Sequence, residues 1–157
     1  MKRLGVTSQE GFTLLEMVCV IALVAMIAAV LLPLLPRNTT RAQLQAYALE
    51  AATLLKADRD AAIRRGVDVS TLVDASSRAI RSGATARTVL IPADVRFDTL
   101  LPQTCRQHAA LSTISFFGDG MSCGGTIALT RLETTYEIRV NWLTGRVEIV
   151  SRAPLAN

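Results

Sequence analysis

Three hydropathy patterns follow one another along the chain. Every residue from Met17 to Leu32 is apolar. A stretch that is apolar on all faces is a helix surrounded by lipid or by other helices. With residues 12–15 it reaches about 20 residues, the length that crosses a bilayer. The second pattern runs from 41 to 65. Leu44, Tyr47, Ala48, Ala51, Leu54, Leu55 and Ala62 fall on one face at helical spacing, leaving Arg41, Glu50, Lys56, Arg59 and Asp60 for solvent. After Gly66 the period drops to two. Strands are expected at 67–73, 78–81, 88–91, 96–100, 113–117, 126–131, 136–142 and 147–150. The last two are the clearest: Tyr136, Ile138, Val140 and Trp142 alternate with Glu137, Arg139 and Asn141, and residues 143–146 turn into Val147 and Ile149. One long helix followed by many short strands predicts an α+β fold. Its N-terminal helix, membrane-spanning in the first half, packs on an antiparallel β-sheet domain.

Local signals divide these regions. Pro33 and Pro36 each remove a backbone hydrogen bond and should kink or loosen the first helix. Asn38, Thr39 or Thr40 supplies a cap for the second. Arg64 and Arg65 suit a helix C-terminus, and Gly66 supplies the stop. Residues 70–82 are polar enough to hold a loop, and the tail from Ser151, with Pro154, is expected to fray.

Glu16 is the odd residue. A carboxylate at the bilayer centre costs about 3 kcal/mol, less near an end, and it wants a cationic partner. The residues around it are Gly11-Phe12-Thr13-Leu14-Leu15-Glu16, behind a short leader carrying Lys2 and Arg3. A cut after Gly11 would free a positive amine on Phe12, one helical turn from Glu16. This arrangement resembles the processing site of type IV pilin-like proteins, which include the type IV pilins and the pseudopilins of type II secretion. The resemblance implies that a membrane-embedded prepilin peptidase cuts after Gly11 and methylates Phe12. It also implies that Glu16 pairs with the N-terminal amine of a neighbouring subunit during filament assembly. Ala22, Ala25 and Ala29 form a small-residue stripe that would let helices approach closely, with ordinary lipid-facing alanines as the alternative. The organisation expected is a leader peptide at 1–11, a transmembrane and filament-core helix at 12–35, an amphipathic helix at 36–66 and a β-rich domain at 67–157.

The positive leader should stay cytoplasmic and the C-terminal domain should be translocated, into the periplasm of a two-membrane bacterium, leaving a single-pass inner-membrane protein. A cleaved secretory signal fits poorly, because the apolar stretch is too long, contains Glu16 and is followed by no small-residue cleavage site. An uncleaved anchor carrying a periplasmic binding module is a further alternative. Net charge is +4, and residues 37–157 alone carry 15 basic and 11 acidic groups. That is mildly basic and demands no nucleic-acid partner. Cys105 and Cys123 flank one loop of the exported part, where an oxidising compartment favours pairing them; two buried free thiols are the alternative. Cys19 has no partner in the chain's apolar segment and acts there as a small hydrophobe.

A second motif lies near the C-terminus: Phe116, Asp119, Gly120, Ser122, Gly124 and Gly125, followed by Thr144-Gly145-Arg146. Asp119-Gly120 is turn chemistry and Gly124-Gly125 permits a sharp change of direction. The stretch resembles the signature of the H-type minor pseudopilins and the related FimT minor pilins. It implies a structural subunit, with no catalytic role, of the short periplasmic filament of type II secretion, which helps export folded proteins across the outer membrane. The partners so implied are the prepilin peptidase, other major and minor pseudopilins, the inner membrane and the secretion machinery. The alternative within the resemblance is a FimT-like minor type IV pilin in pilus priming or DNA uptake. Some such pilins carry Gly-Arg-x-Arg in the last hairpin; here Glu148 replaces the second arginine and would repel a phosphate, which weakens DNA binding without removing it. Arg78, Arg81, Arg87, Arg96 and Arg106 form either a second basic patch or a solvated surface.

Catalysis has little support. His108 is the only histidine, and a nucleophile–base arrangement with Cys105, Ser112 and Asp119 exists only on paper. There is no zinc-ligand spacing, the aspartates at 58, 60, 68 and 74 are scattered unlike a calcium loop, and no phosphate-binding glycine motif occurs. No cofactor or metal is expected.

Overall fold

The computed structural model describes residues 13–31, 38–106 and 108–152. The leader with Gly11, Phe12, the two prolines at 33 and 36 and the tail from 153 lie outside the described residues. The chain divides into two compact units, Met1–Arg37 and Asn38–Asn157.

In the first unit, α1 spans Leu14–Leu31. Thr13 opens it: its carbonyl accepts the Glu16 and Met17 amides, and its hydroxyl also accepts the Glu16 amide at 3.2 Å. Among the described residues no helix is long and apolar enough to cross a membrane. At about 1.5 Å per residue α1 is about 27 Å long, against a hydrocarbon core of about 30 Å. Phe12 and Leu32, the apolar residues on either side, are not among the described residues.

The second unit opens with α2, Arg41–Arg65. Thr40 is the N-cap in a capping box, its hydroxyl accepting the Gln43 amide while the Gln43 side chain accepts the Thr40 amide. Gly66, with φ +64°, closes the helix in the left-handed conformation. Among the described residues ten strands follow: β1 Val69–Asp74, β2 Ala79–Arg81, β3 Thr88–Leu90, β4 Arg96–Leu100, β5 Thr104–Cys105, β6 His108–Ala109, β7 Thr113–Phe116, β8 Gly125–Arg131, β9 Thr134–Val140 and β10 Val147–Arg152. They form two four-stranded sheets, ordered β3-β2-β1-β7 and β10-β9-β8-β4, and the small β5-β6 hairpin, with every pairing antiparallel. Helix α2 packs against strands of both large sheets. Leu44, Leu55, Ile80, Ile114, Phe116, Ile127, Leu129 and Ile138 are completely buried in the single core between them.

Two expectations need correction. The strand expected to reach Trp142 stops at Val140, because the Asn141 side-chain oxygen accepts the amides of Leu143 and Thr144 and turns the chain. Trp142 is therefore 65% exposed and not a core residue. Arg78 belongs to no surface patch either. Its backbone adopts φ +54°, and its guanidinium donates to the carbonyls of Ile91, Pro92 and Val95, tying the β2–β3 hairpin to the segment before β4. Arg96 and Arg106 are paired with Asp98 and Asp119.

Asp58 is the least expected feature. It lies in the middle of α2 and is fully buried. Its carboxylate accepts the Thr71 hydroxyl from β1 at 2.6 Å, the Ser82 hydroxyl, and the amides of Gly83 and Ala84 at 3.0 and 3.3 Å. Helix, first sheet and the loop after β2 are thus joined at one charge. A side chain at Gly83 is ruled out by proximity: a Cβ there would lie 2.3 Å from the Ser70 carbonyl oxygen.

Candidate functional site

Of the residues implicated in processing, Gly11 and Phe12 lie outside the described residues, and Glu16 stands in the first turn of α1. That is the favourable end of the helix dipole for a carboxylate. Among the described residues no cation pairs with Glu16, and its neighbours Leu14, Leu15 and Met17 are exposed. Chemically this helix end offers an apolar surface with one negative charge set into it.

The second candidate is the 116–125 loop. Phe116 ends β7 and is fully buried, anchoring the loop in the core. The chain then reverses: the Phe117 amide donates to the Met121 carbonyl, the Gly120 amide to the Phe117 carbonyl, and the Met121 amide to the Asp119 carboxylate. Ser122 is buried; its hydroxyl donates to the Asn141 carbonyl at 3.1 Å and accepts the Gly124 amide at 3.0 Å. Gly120, Gly124 and Gly125 all have positive φ. Each residue of the motif therefore has a structural task, and the loop presents no nucleophile.

Cys105 and Cys123 are joined, with Cα atoms 5.6 Å apart. The bridge fastens the β5-β6 hairpin to this loop. Beside it the Arg106 guanidinium sits 3.6 Å above the Phe117 ring and 2.7 Å from the Asp119 carboxylate. Two-residue strands with no apolar alternation leave no period-two signal, so the hairpin is absent from the sequence pattern. Cys105 is opposite His108 in the hairpin register, but as a disulfide it has no thiol to offer as a nucleophile. Among the described residues no group of three metal-ligating side chains gathers. A Cys105→Ser, Cys123→Ser variant of the 38–157 fragment is expected to lose about 3 kcal/mol in urea unfolding, the chain-entropy value for a closed loop of this size. A loss below about 1 kcal/mol would show that the Arg106 contacts hold the hairpin alone.

The structure brings the two motif stretches together with a residue of α2, Arg59, whose place in the helical pattern predicts a solvated side chain. Arg59 of α2 donates to the Thr144 carbonyl at 3.0 Å through Nη2. Gly145, with φ +61°, lies so close to the 116–125 loop that a Cβ would come within 2.4 Å of the Gly120 carbonyl oxygen. Arg146, the one arginine left in the hairpin motif, pairs with Glu148 at 2.9 Å. Elsewhere, the serine hydroxyls of Ser76 and Ser77 hold the Asp74 carboxyl well below the usual carboxylate range.

The fold is shared with solved minor pilins and pseudopilins. The type IV minor pilin FimU of Pseudomonas aeruginosa superposes with a TM-score of 0.55 at 17% identity, covering 74% of this chain and 96% of that one. The minor pseudopilin EpsH from the type 2 secretion system of Vibrio cholerae does so with a TM-score of 0.52 at 11% identity, covering 73% and 98%. The family model for the prokaryotic N-terminal methylation motif matches residues 6–32. A type II secretion system protein H from Xanthomonas campestris pv. campestris is 31% identical over 139 residues, which are 88% of this chain and 81% of that protein. The chain belongs to the type II secretion system protein H family of minor pseudopilins.

Proposed function

We propose that the chain is a structural subunit of a type II secretion pseudopilus, processed and assembled through its N-terminal segment, and that it catalyses no reaction. The observation carrying this reading is the match to a protein H along most of both chains, reaching from the methylation motif into the β-rich unit. On this reading residues 1–11 are removed by the prepilin peptidase and Phe12 becomes the methylated N-terminus. Residues 12–35 anchor the chain in the inner membrane and later join the filament core. The Asn38–Asn157 unit projects into the periplasm, where an oxidising environment maintains the Cys105–Cys123 bridge. Its partners are other major and minor pseudopilins. The carboxylate of Glu148 beside Arg146 favours secretion over DNA uptake, since it would repel a phosphate approaching that arginine.

Intact-mass measurement of the membrane-extracted protein tests the processing directly. The expected species lacks residues 1–11 and carries one added methyl group on Phe12. A mass that still includes the leader would leave a simple uncleaved anchor as the better description.

A further inference from the structure

We propose that Thr39, Asp94 and Arg131 form a clasp that passes force between the N-terminal segment and the β10-β9-β8-β4 sheet. Thr39 is the second residue of the C-terminal unit, and all of its polar groups are engaged. Its amide donates to Asp94 Oδ2 at 2.7 Å, its hydroxyl donates to Asp94 Oδ1 at 2.9 Å, and its carbonyl accepts from Arg131 Nε at 2.6 Å. The two side chains that grip it are bound to each other. Arg131 Nη1 lies 2.9 Å from Asp94 Oδ2 and donates to the Asp94 carbonyl at 2.8 Å.

The position of this trio is what gives it a mechanical meaning. Arg131 ends β8, and Asp94 stands two residues before β4. The register Arg96↔Thr130 puts both at the same end of the sheet. The Arg131 side chain is 16% exposed and its bond to the Thr39 carbonyl is part-buried, while the bonds to the Asp94 carboxylate, 29% exposed, lie at the surface. The Thr39 amide is also the main reason that the Asp94 carboxyl is held below its ordinary range.

The residue after Thr39 is the N-cap of α2. Without the clasp, a pull on the preceding chain would act on the first turn of that helix, the part that frays most readily. A helix pulled from its end opens one hydrogen bond at a time. With the clasp, the same pull meets the amide, hydroxyl and carbonyl of one residue together, tied to the end of β8 and to the segment leading into β4. The sheet then bears the load before α2 does. The load itself rests on the reading of the chain as a filament subunit; the hold on Thr39 does not.

The test uses the full-length protein carrying Arg131→Met or, separately, Asp94→Asn, with Arg139→Met as a sheet-face control. Hydrogen–deuterium exchange in detergent should be about tenfold faster at amides 39–45 in both clasp variants and unchanged in β9. Incorporation into cross-linked pseudopilus filaments should fall several-fold at wild-type cellular amounts. The control should change neither. Wild-type protection of 39–45, or normal incorporation despite faster exchange there, overturns the proposal. Faster exchange throughout β9 in both variants also overturns it, because the trio would then be a folding element and not a load path. A wild-type chain that never enters filaments removes the load and with it the filament reading, while the exchange result still decides whether the clasp holds residues 39–45.

Discussion

Asp58→Ala is expected to destabilise the Asn38–Asn157 unit by about 3 kcal/mol, a value at the lower end for breaking a buried charged network. The carboxylate satisfies two hydroxyls and two amides, from Thr71, Ser82, Gly83 and Ala84. A buried donor left without an acceptor costs about 1–3 kcal/mol. Two effects reduce the sum. Removing the charge relieves its own desolvation cost, and the Ser82–Ala84 loop is only part-buried, so water can reach some of the orphaned groups. In thermal unfolding of the 38–157 fragment, which contains the whole core, this loss corresponds to about 10 °C. Asp58→Asn keeps the shape and one acceptor oxygen, and should cost about half as much. Thr71→Val removes one bonded hydroxyl from β1 and should cost about 1 kcal/mol. An Asp58→Ala midpoint within about 3 °C of wild type would mean that the loop and helix are held by packing alone.

Asp58 also shows where linear reading fails. The apolar stripe of α2 runs Leu44, Ala48, Ala51, Leu55, Ala62, and Asp58 occupies the place between the last two, three residues after Leu55 and four before Ala62. Its position on the stripe was the available signal. A carboxylate there is either a solvated exception or a buried anchor, and only the donors of β1 and the β2–β3 loop, distant in sequence, decide between these. The ends of α2 were legible because their causes are local: a capping hydroxyl before the helix and a glycine after it. The eight strands with apolar alternation were legible for the same reason, whereas β5 and β6 are held by a disulfide and a two-residue register. Trp142 was misread because apolar alternation continued two residues past the point where the Asn141 side chain ends the strand. The N-terminal methylation motif was readable because it is a linear segment, carried by consecutive residues and not by tertiary contacts. The 116–125 loop was readable as turn chemistry. Its meeting with Arg59 and the 142–146 turn is tertiary, and no local pattern encodes it.

Glu16→Gln is expected to leave membrane insertion and leader removal intact and to abolish filament incorporation. The substitution keeps the size of the side chain and removes its charge. Insertion cannot suffer, since a buried carboxylate opposes it by up to about 3 kcal/mol at the bilayer centre. On the proposed reading, what is lost is the attraction between Glu16 and the freed Phe12 amine of a neighbouring subunit. Two unit charges about 4 Å apart in an effective dielectric of about 20 attract by about 4 kcal/mol. Desolvation lowers the net value, and a remaining 3 kcal/mol is about a hundredfold in association. Glu16→Asp retains the charge on a shorter arm and should give intermediate incorporation, which a purely steric role for this side chain would not. The measurement is the ratio of filament-bound to membrane-retained protein after cross-linking, with intact mass taken on the same samples to show that residues 1–11 are gone and Phe12 is methylated. Equal ratios for wild type and Glu16→Gln would contradict charge pairing as the assembly force. An unprocessed Glu16→Gln mass would instead assign Glu16 to recognition by the peptidase. On the proposed reading, processing and pairing are separable, because the peptidase would meet a single chain, whereas the charge would be neutralised only when a second chain arrives.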